Sequence, residues 1–128
     1  MPEAKPRTVL VVDDDPDILS IISFVLEEEG YRVVTAGDGR EGLEAAEREM
    51  PDLILLDMKM PIMNGWEFAR EFHARYDSKV PLVVLTAAED AKRRAQEIGA
   101  VGWIGKPFDL DELVSIVDQH LSSRGKNG

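Results

Sequence analysis

The chain of 128 residues contains no cysteine, which excludes a disulfide framework, a thiolate metal site and a thiol nucleophile. No apolar run approaches the ~20 residues that a helix needs to cross a bilayer. The amino terminus, Met1 to Arg7, is polar where a signal peptide would be apolar. A cytoplasmic location, away from any membrane, is therefore expected. Basic residues are in deficit, 15 Lys and Arg against 25 Asp and Glu, for a formal net charge of −10. Such a surface repels phosphate backbones, so direct nucleic-acid binding is not expected. Aromatics are scarce at 6%, and no repeat, low-complexity tract or internal linker breaks the chain. What remains, 44% hydrophobic and 31% charged, suits one globular domain long enough to bury a core.

Short apolar runs recur at Thr8–Val12, Arg32–Ala36, Leu53–Leu56, Leu82–Leu85 and Val101–Ile104. They are rich in Val, Leu and Ile and mostly continuous, the pattern of parallel strands covered on both faces. Between them the apolar period is helical. Ile18, Ile21, Ile22, Val25 and Leu26 form one stripe, with Pro16 at its start and Gly30 at its stop. Asp38 with Glu41, Asn64 with Glu67, and Asp109 with Glu112 have the spacing of helix-start capping pairs. A fourth helix, from about Asp90 to Ile98, has only Ala91, Ala95 and Ile98 as an apolar stripe and is expected to be the most mobile. Five strands alternating with five helices predict a three-layer, doubly wound (βα)5 α/β domain. Right-handed crossovers favour a parallel sheet in the order 2-1-3-4-5. The domain is expected over residues 7–121, with polar tails at 1–6 and 122–128.

Two of these runs end in acid. Val9–Val12 leads into Asp13, Asp14 and Asp15, and Leu53–Leu56 leads into Asp57. In that strand order the two ends are neighbours, at the position where such folds bind ligands. Several carboxylates brought together there repel one another unless a divalent cation or a proton compensates. One acid suffices to cap a helix, and Asp15 is assigned that role. Asp13 and Asp14 are assigned to metal binding.

The segments VLVVDDDPD, LILLDMKMPIMNG, VVLTAA and WIGKPF follow in order at the ends of strands 1, 3, 4 and 5. Together they closely resemble the response-regulator receiver domain, the phosphoacceptor module of two-component signalling. The resemblance implies that Asp57 takes a phosphoryl group from a sensor histidine kinase or phosphotransfer protein. It further implies Mg²⁺ as cofactor, held by Asp14, Asp57 and the main-chain carbonyl of Lys59, with Asp13 acting through a coordinated water. Thr86 and Lys106 would contact the phosphoryl oxygens. Thr86 and Trp103 would form the conformational switch, and a downstream output protein would read it. Phosphorylation and dephosphorylation on the chain itself are implied, without conventional enzyme turnover. Nothing after Leu121 suggests an output domain, so a stand-alone receiver is expected.

The chain departs from the family pattern in places. Trp103 stands where Tyr or Phe is common, the span from Thr86 to Lys106 is short, and Lys59 and Ala88 replace other residue types. Alternative readings fare worse. A haloacid-dehalogenase-type phosphatase would place its nucleophile on strand 1. A flavodoxin-like carrier needs a hydroxyl- and glycine-rich loop where this chain has acids. A pseudo-receiver, a binding module that never takes phosphate, usually lacks an acid or the lysine. His73 and His120 lack metal spacing, and Trp66 and Met58, Met60 and Met63 are assigned to packing. Gly37, Gly39 and Gly42 are assigned to turns and close contacts, not to a phosphate loop.

Overall fold

A computed structural model describes residues 6–76 and 79–126, and side chains as far as Leu121. The order is β1 (Thr8–Val12), α1 (Pro16–Glu28), β2 (Arg32–Ala36), α2 (Gly39–Arg48), β3 (Leu53–Leu56), α3 (Gly65–Tyr76), β4 (Leu82–Ala87), α4 (Ala88–Ile98), β5 (Gly102–Lys106) and α5 (Leu110–Lys126). The strands form one sheet in the order β2-β1-β3-β4-β5, with parallel pairing throughout. The expected doubly wound α/β fold is present.

Strand side chains alternate between two apolar layers because successive residues point to opposite faces of a sheet. Leu10, Val12, Ile54, Leu56 and Val84 pack with Phe68 and Phe72 of α3 and Leu43 and Ala46 of α2. Val9, Val11, Leu53, Leu55 and Leu85 pack with Ile22 and Leu26 of α1 and Leu113, Val117 and Leu121 of α5. Both faces are covered, which is why the strands read as continuous apolar runs.

The helix starts follow the sequence signals closely. Asp15 caps α1, its carboxylate accepting from the Asp17 and Ile18 amides. At α3, Asn64 Oδ1 accepts from the Glu67 amide and Glu67 Oε1 from the Asn64 amide, both at 2.9 Å. At α2, Asp38 accepts from the Glu41 amide, while Glu41 reaches back one residue further, to Gly37. At α5 the main-chain carbonyl of Asp109 accepts from Leu113.

Four elements differ from expectation in their bounds. Strand β4 continues through Thr86 and Ala87, and α4 begins at once with Ala88. No side chain caps α4, since Ala87 stands at that position, so its start carried no sequence signal. Strand β5 begins at Gly102 and runs to Lys106, because Gly105 and Lys106 pair in register with Thr86 and Ala87. Helix α5 extends to Lys126, beyond the expected end at 121. The apolar stripe stops at Leu121, but extending a formed helix needs only one more backbone bond per residue. Residues 1–5 and 127–128 of the expected tails lie outside the described residues.

Candidate functional site

The β1/β3 register sets Val12 against Leu56, which brings the residues that follow, Asp13 and Asp57, side by side. The Asp57 amide donates to the Val12 carbonyl at 2.9 Å, and the Asp13 amide to the Ala36 carbonyl at 3.0 Å. Both carboxylates are thus fixed by backbone pairing. Asp13 is fully buried and Asp57 nearly so, while Asp14 is exposed at the rim. Among the described residues, these three form a group whose ligand oxygens all lie within 4.8 Å of one another.

The compensating cation within the chain is Lys106. Its Nζ lies 2.7 Å from Asp13 Oδ2 and 3.7 Å from Asp57 Oδ2. Asp13 Oδ1 accepts from the Asp15 amide at 2.9 Å. Its Oδ2, buried, has the Lys106 ammonium as its partner in the ion pair. Burial disfavours the Lys106 charge, but the close approach of Asp13 and the charges of Asp57 and Asp14 outweigh it. The ammonium is held above its usual range.

Asp57 is the most perturbed group. Burial first, then the Asp13 charge, pushes its pKa from 3.8 to about 6, against the opposing pull of Lys106 and of the Met58 amide, which donates to Oδ1 at 2.8 Å. One ammonium does not neutralise three carboxylates. The excess charge and the unused lone pairs of Asp13 and Asp14 suit a hard divalent cation with oxygen ligands.

The other expected residues fall around this centre. Thr86 is buried on β4, opposite Gly105. Lys59 is exposed in the loop after Asp57. The Lys106–Pro107 peptide bond is cis. Trp103 is 44% exposed on β5, with Lys92 Nζ 6.0 Å from its ring centroid. His73 is exposed on α3, its ring edge-on to Phe72. Met58 is buried, and Met60 and Met63 pack against the same core layer. Gly39 donates its amide to the Met63 carbonyl, and Gly42 packs on Phe68 and Val12, the close contacts expected of them.

Two features of the site had not been anticipated. Gly65 opens α3 directly against the acceptor: a Cβ there would sit 2.6 Å from the Asp57 carbonyl oxygen and 2.7 Å from Met58 Cα. Backbone cannot yield cheaply, so Gly65→Ala is expected to destabilise the fold by ~1–3 kcal/mol, read as a lower urea midpoint. Trp66, assigned to packing, is half-buried against the core, but its indole N–H leaves the core to donate to Glu97 of α4 at 2.8 Å.

Residues 9–118 match the family described as the response regulator receiver domain. The chain belongs to that family. The receiver is 38% identical over 122 residues to the transcriptional regulatory protein PdtaR of Mycobacterium tuberculosis, covering 93% of this chain and 58% of that protein. It is 42% identical over 117 residues to the DNA-binding response regulator MtrA of Mycolicibacterium smegmatis, covering 90% of this chain and 50% of that protein. The chain thus spans about half the length of these relatives. Among solved structures, the chemotaxis protein CheY4 of Vibrio cholerae superposes with a TM-score of 0.81 at 36% identity, over 91% of this chain and 99% of that one. A CheY-like receiver domain protein from Methanospirillum hungatei gives 0.82 at 31% identity, over 96% and 99%. No helix among the described residues is long and apolar enough to cross a membrane.

Proposed function

We propose that Asp57 accepts a phosphoryl group from the phosphohistidine of a sensor kinase or phosphotransfer protein, and that the chain signals through the resulting change of conformation. The observation that carries this reading is Lys106 set between Asp13 and Asp57 at the ends of adjacent strands. In the transfer, an Asp57 carboxylate oxygen forms a bond to phosphorus as the phosphorus–nitrogen bond breaks. The electron pair returns to the imidazole, which takes up a proton. Lys106 and the Thr86 hydroxyl would face the charge on the transferred group, which is where catalysis of phosphoryl transfer chiefly acts. Asp14 and Asp57 would hold Mg²⁺ together with the Lys59 carbonyl, with Asp13 in support. The ion would neutralise charge shared between carboxylate and phosphoryl oxygens. Trp103, exposed beside α4, is the aromatic member of the proposed switch.

The chain in this reading is a phosphoacceptor without conventional enzyme turnover, and its output is a partner protein. A phosphatase with its nucleophile on β1 is disfavoured because Asp13 is fully buried and clamped by Lys106. Nucleic-acid binding by this stretch is disfavoured by its charge of −10.

The metal assignment predicts a melting temperature that rises with Mg²⁺, since a ligand of the native state alone stabilises it by RT ln(1 + [L]/Kd). In Asp14→Ala the metal-free protein should melt higher than wild type, through relief of repulsion, and Mg²⁺ should add little. Equal Mg²⁺ shifts in both proteins would place the ion elsewhere. Beryllofluoride, a phosphoryl analogue, should bind wild type only when Mg²⁺ is present, as followed by fluorine NMR. Binding that is indifferent to Mg²⁺ would count against the proposed site.

A further inference from the structure

Helix α4 is tied to the site at both ends and held by little in between. Only Ala91 and Ala95 are buried along it, so apolar packing secures it weakly. At its start, Ala88 follows Thr86 and Ala87 with no intervening loop. There it is seated on Gly105, where a Cβ would lie 2.5 Å from Ala88 Cα. Movement of Thr86 toward a group on Asp57 would therefore pass into α4 without slack.

Its last turn is held by polar contacts to α3. The Trp66 indole donates to Glu97 Oε1 at 2.8 Å. Arg94 Nη1 lies 3.2 Å from both Glu97 oxygens, and the guanidinium carbon lies 5.0 Å from the Trp66 ring centroid. Arg94 Nε is buried without a hydrogen-bond partner, so the ring face and Glu97 are what hold this side chain. The indole bond, followed by the two arginine contacts, holds the Glu97 carboxyl below its usual range against partial desolvation. Beside the cluster, a cleft of about 310 Å³ separates the helices, lined by Ala69, Arg70, His73 and Ile98 as well as Trp66 and Glu97. Packing does not fill this gap, so the cluster spans it. Trp66 in turn follows Gly65, which rests on the Asp57 and Met58 backbone.

We propose that Trp66 is a positioning residue: through Glu97 and Arg94 it holds α4 in its phosphoryl-free position, and this hold opposes phosphoryl binding at Asp57. The inference rests on the reading of Asp57 as the phosphoacceptor. A contact present in only one of two states shifts the equilibrium between them, and linkage makes the effect reciprocal with ligand binding. Loss of the contact should therefore tighten binding of a phosphoryl analogue at a distance.

The test is the dissociation constant of beryllofluoride in saturating Mg²⁺ for wild type, Trp66→Phe, Glu97→Ala and Glu97→Gln. Phenylalanine keeps the ring and removes the N–H. Alanine removes the acceptor from an exposed position on α4, where folding is not at risk. Glutamine keeps an acceptor for the indole. Trp66→Phe and Glu97→Ala should bind roughly threefold to tenfold more tightly, as for one hydrogen bond lost from one state only. Glu97→Gln should remain near wild type, and amides of α4 should exchange faster in the two tighter-binding variants. A merely structural role would lower melting temperature and leave the dissociation constant unmoved. Unchanged or weaker binding in Trp66→Phe and Glu97→Ala, with normal binding by wild type, overturns this proposal alone. Absence of binding by wild type overturns it together with the phosphoacceptor reading.

Discussion

Replacing Lys106 by methionine is expected to cost the metal-free protein ~3 kcal/mol or more, because removing one partner of a buried ion pair strands the other. Methionine retains most of the stem that packs in the half-buried site and deletes only the charge. Asp13, fully buried, would then face Asp57 with no cation between them. With a urea dependence of about 2 kcal/mol per molar, the unfolding midpoint should fall by about 1.5 M. Mg²⁺ should restore part of the loss by supplying charge to the same carboxylates. Asp13→Asn in the Lys106→Met background should restore much of it without metal. A Lys106→Met protein as stable as wild type without metal would mean that the ammonium is solvated and not a structural counter-charge.

Asp57→Asn is expected to act in the opposite direction. The folded chain raises the Asp57 pKa from 3.8 to about 6, so native protein binds this proton more tightly than the unfolded chain does. Between pH 4 and 6 the unfolded state gives up the proton first, so wild-type stability falls as pH rises through that window. Above it the whole penalty persists. A unit of pKa corresponds to ~1.4 kcal/mol, and solvent screening at the open side of the site reduces the effect of the shift to about 1–2 kcal/mol. Metal-free Asp57→Asn should therefore melt ~4–10 °C above wild type at pH 7. The two should converge below about pH 3, where Asp57 is protonated in both the folded and the unfolded wild type. Mg²⁺ should narrow or reverse the gap at neutral pH, since the variant lacks a ligand. A variant less stable than wild type at pH 7 without metal would contradict the electrostatic account.

Much of this site could be read directly from the chain because it lies where strands end. The run Leu53–Leu56 and the acid after it define both a buried strand and what its carboxyl end presents, and Val9–Val12 does the same for Asp13. Chain order and crossover handedness then made the two ends neighbours. Capping pairs such as Asn64 with Glu67 were legible because they act within one turn. The position of Lys106 was harder to read. Strands spaced ~4.8 Å apart put β5 three strands from β1, so a lysine nearer Asp13 than Asp57 does not follow from topology. It depends on how the strand ends twist together above the sheet. The start of α4 was missed by two residues because Ala87 and Ala88 carry neither a cap nor an apolar period. The Trp66–Glu97 bond was out of reach for another reason: it joins residues 31 apart across two helices whose crossing no local pattern encodes. Residues that work through their neighbours along the chain are readable from sequence, whereas those that work across helix faces are not.

The most direct test of the central claim is the intact mass of wild type and Asp57→Asn after incubation with Mg²⁺ and a small acyl-phosphate donor. Wild type should gain one phosphoryl group, lost on treatment with hydroxylamine and not gained when Mg²⁺ is chelated. Asp57→Asn should gain none, because an amide cannot form the acyl phosphate. Undiminished labelling of Asp57→Asn would place the acceptor on another residue and contradict the assignment of Asp57.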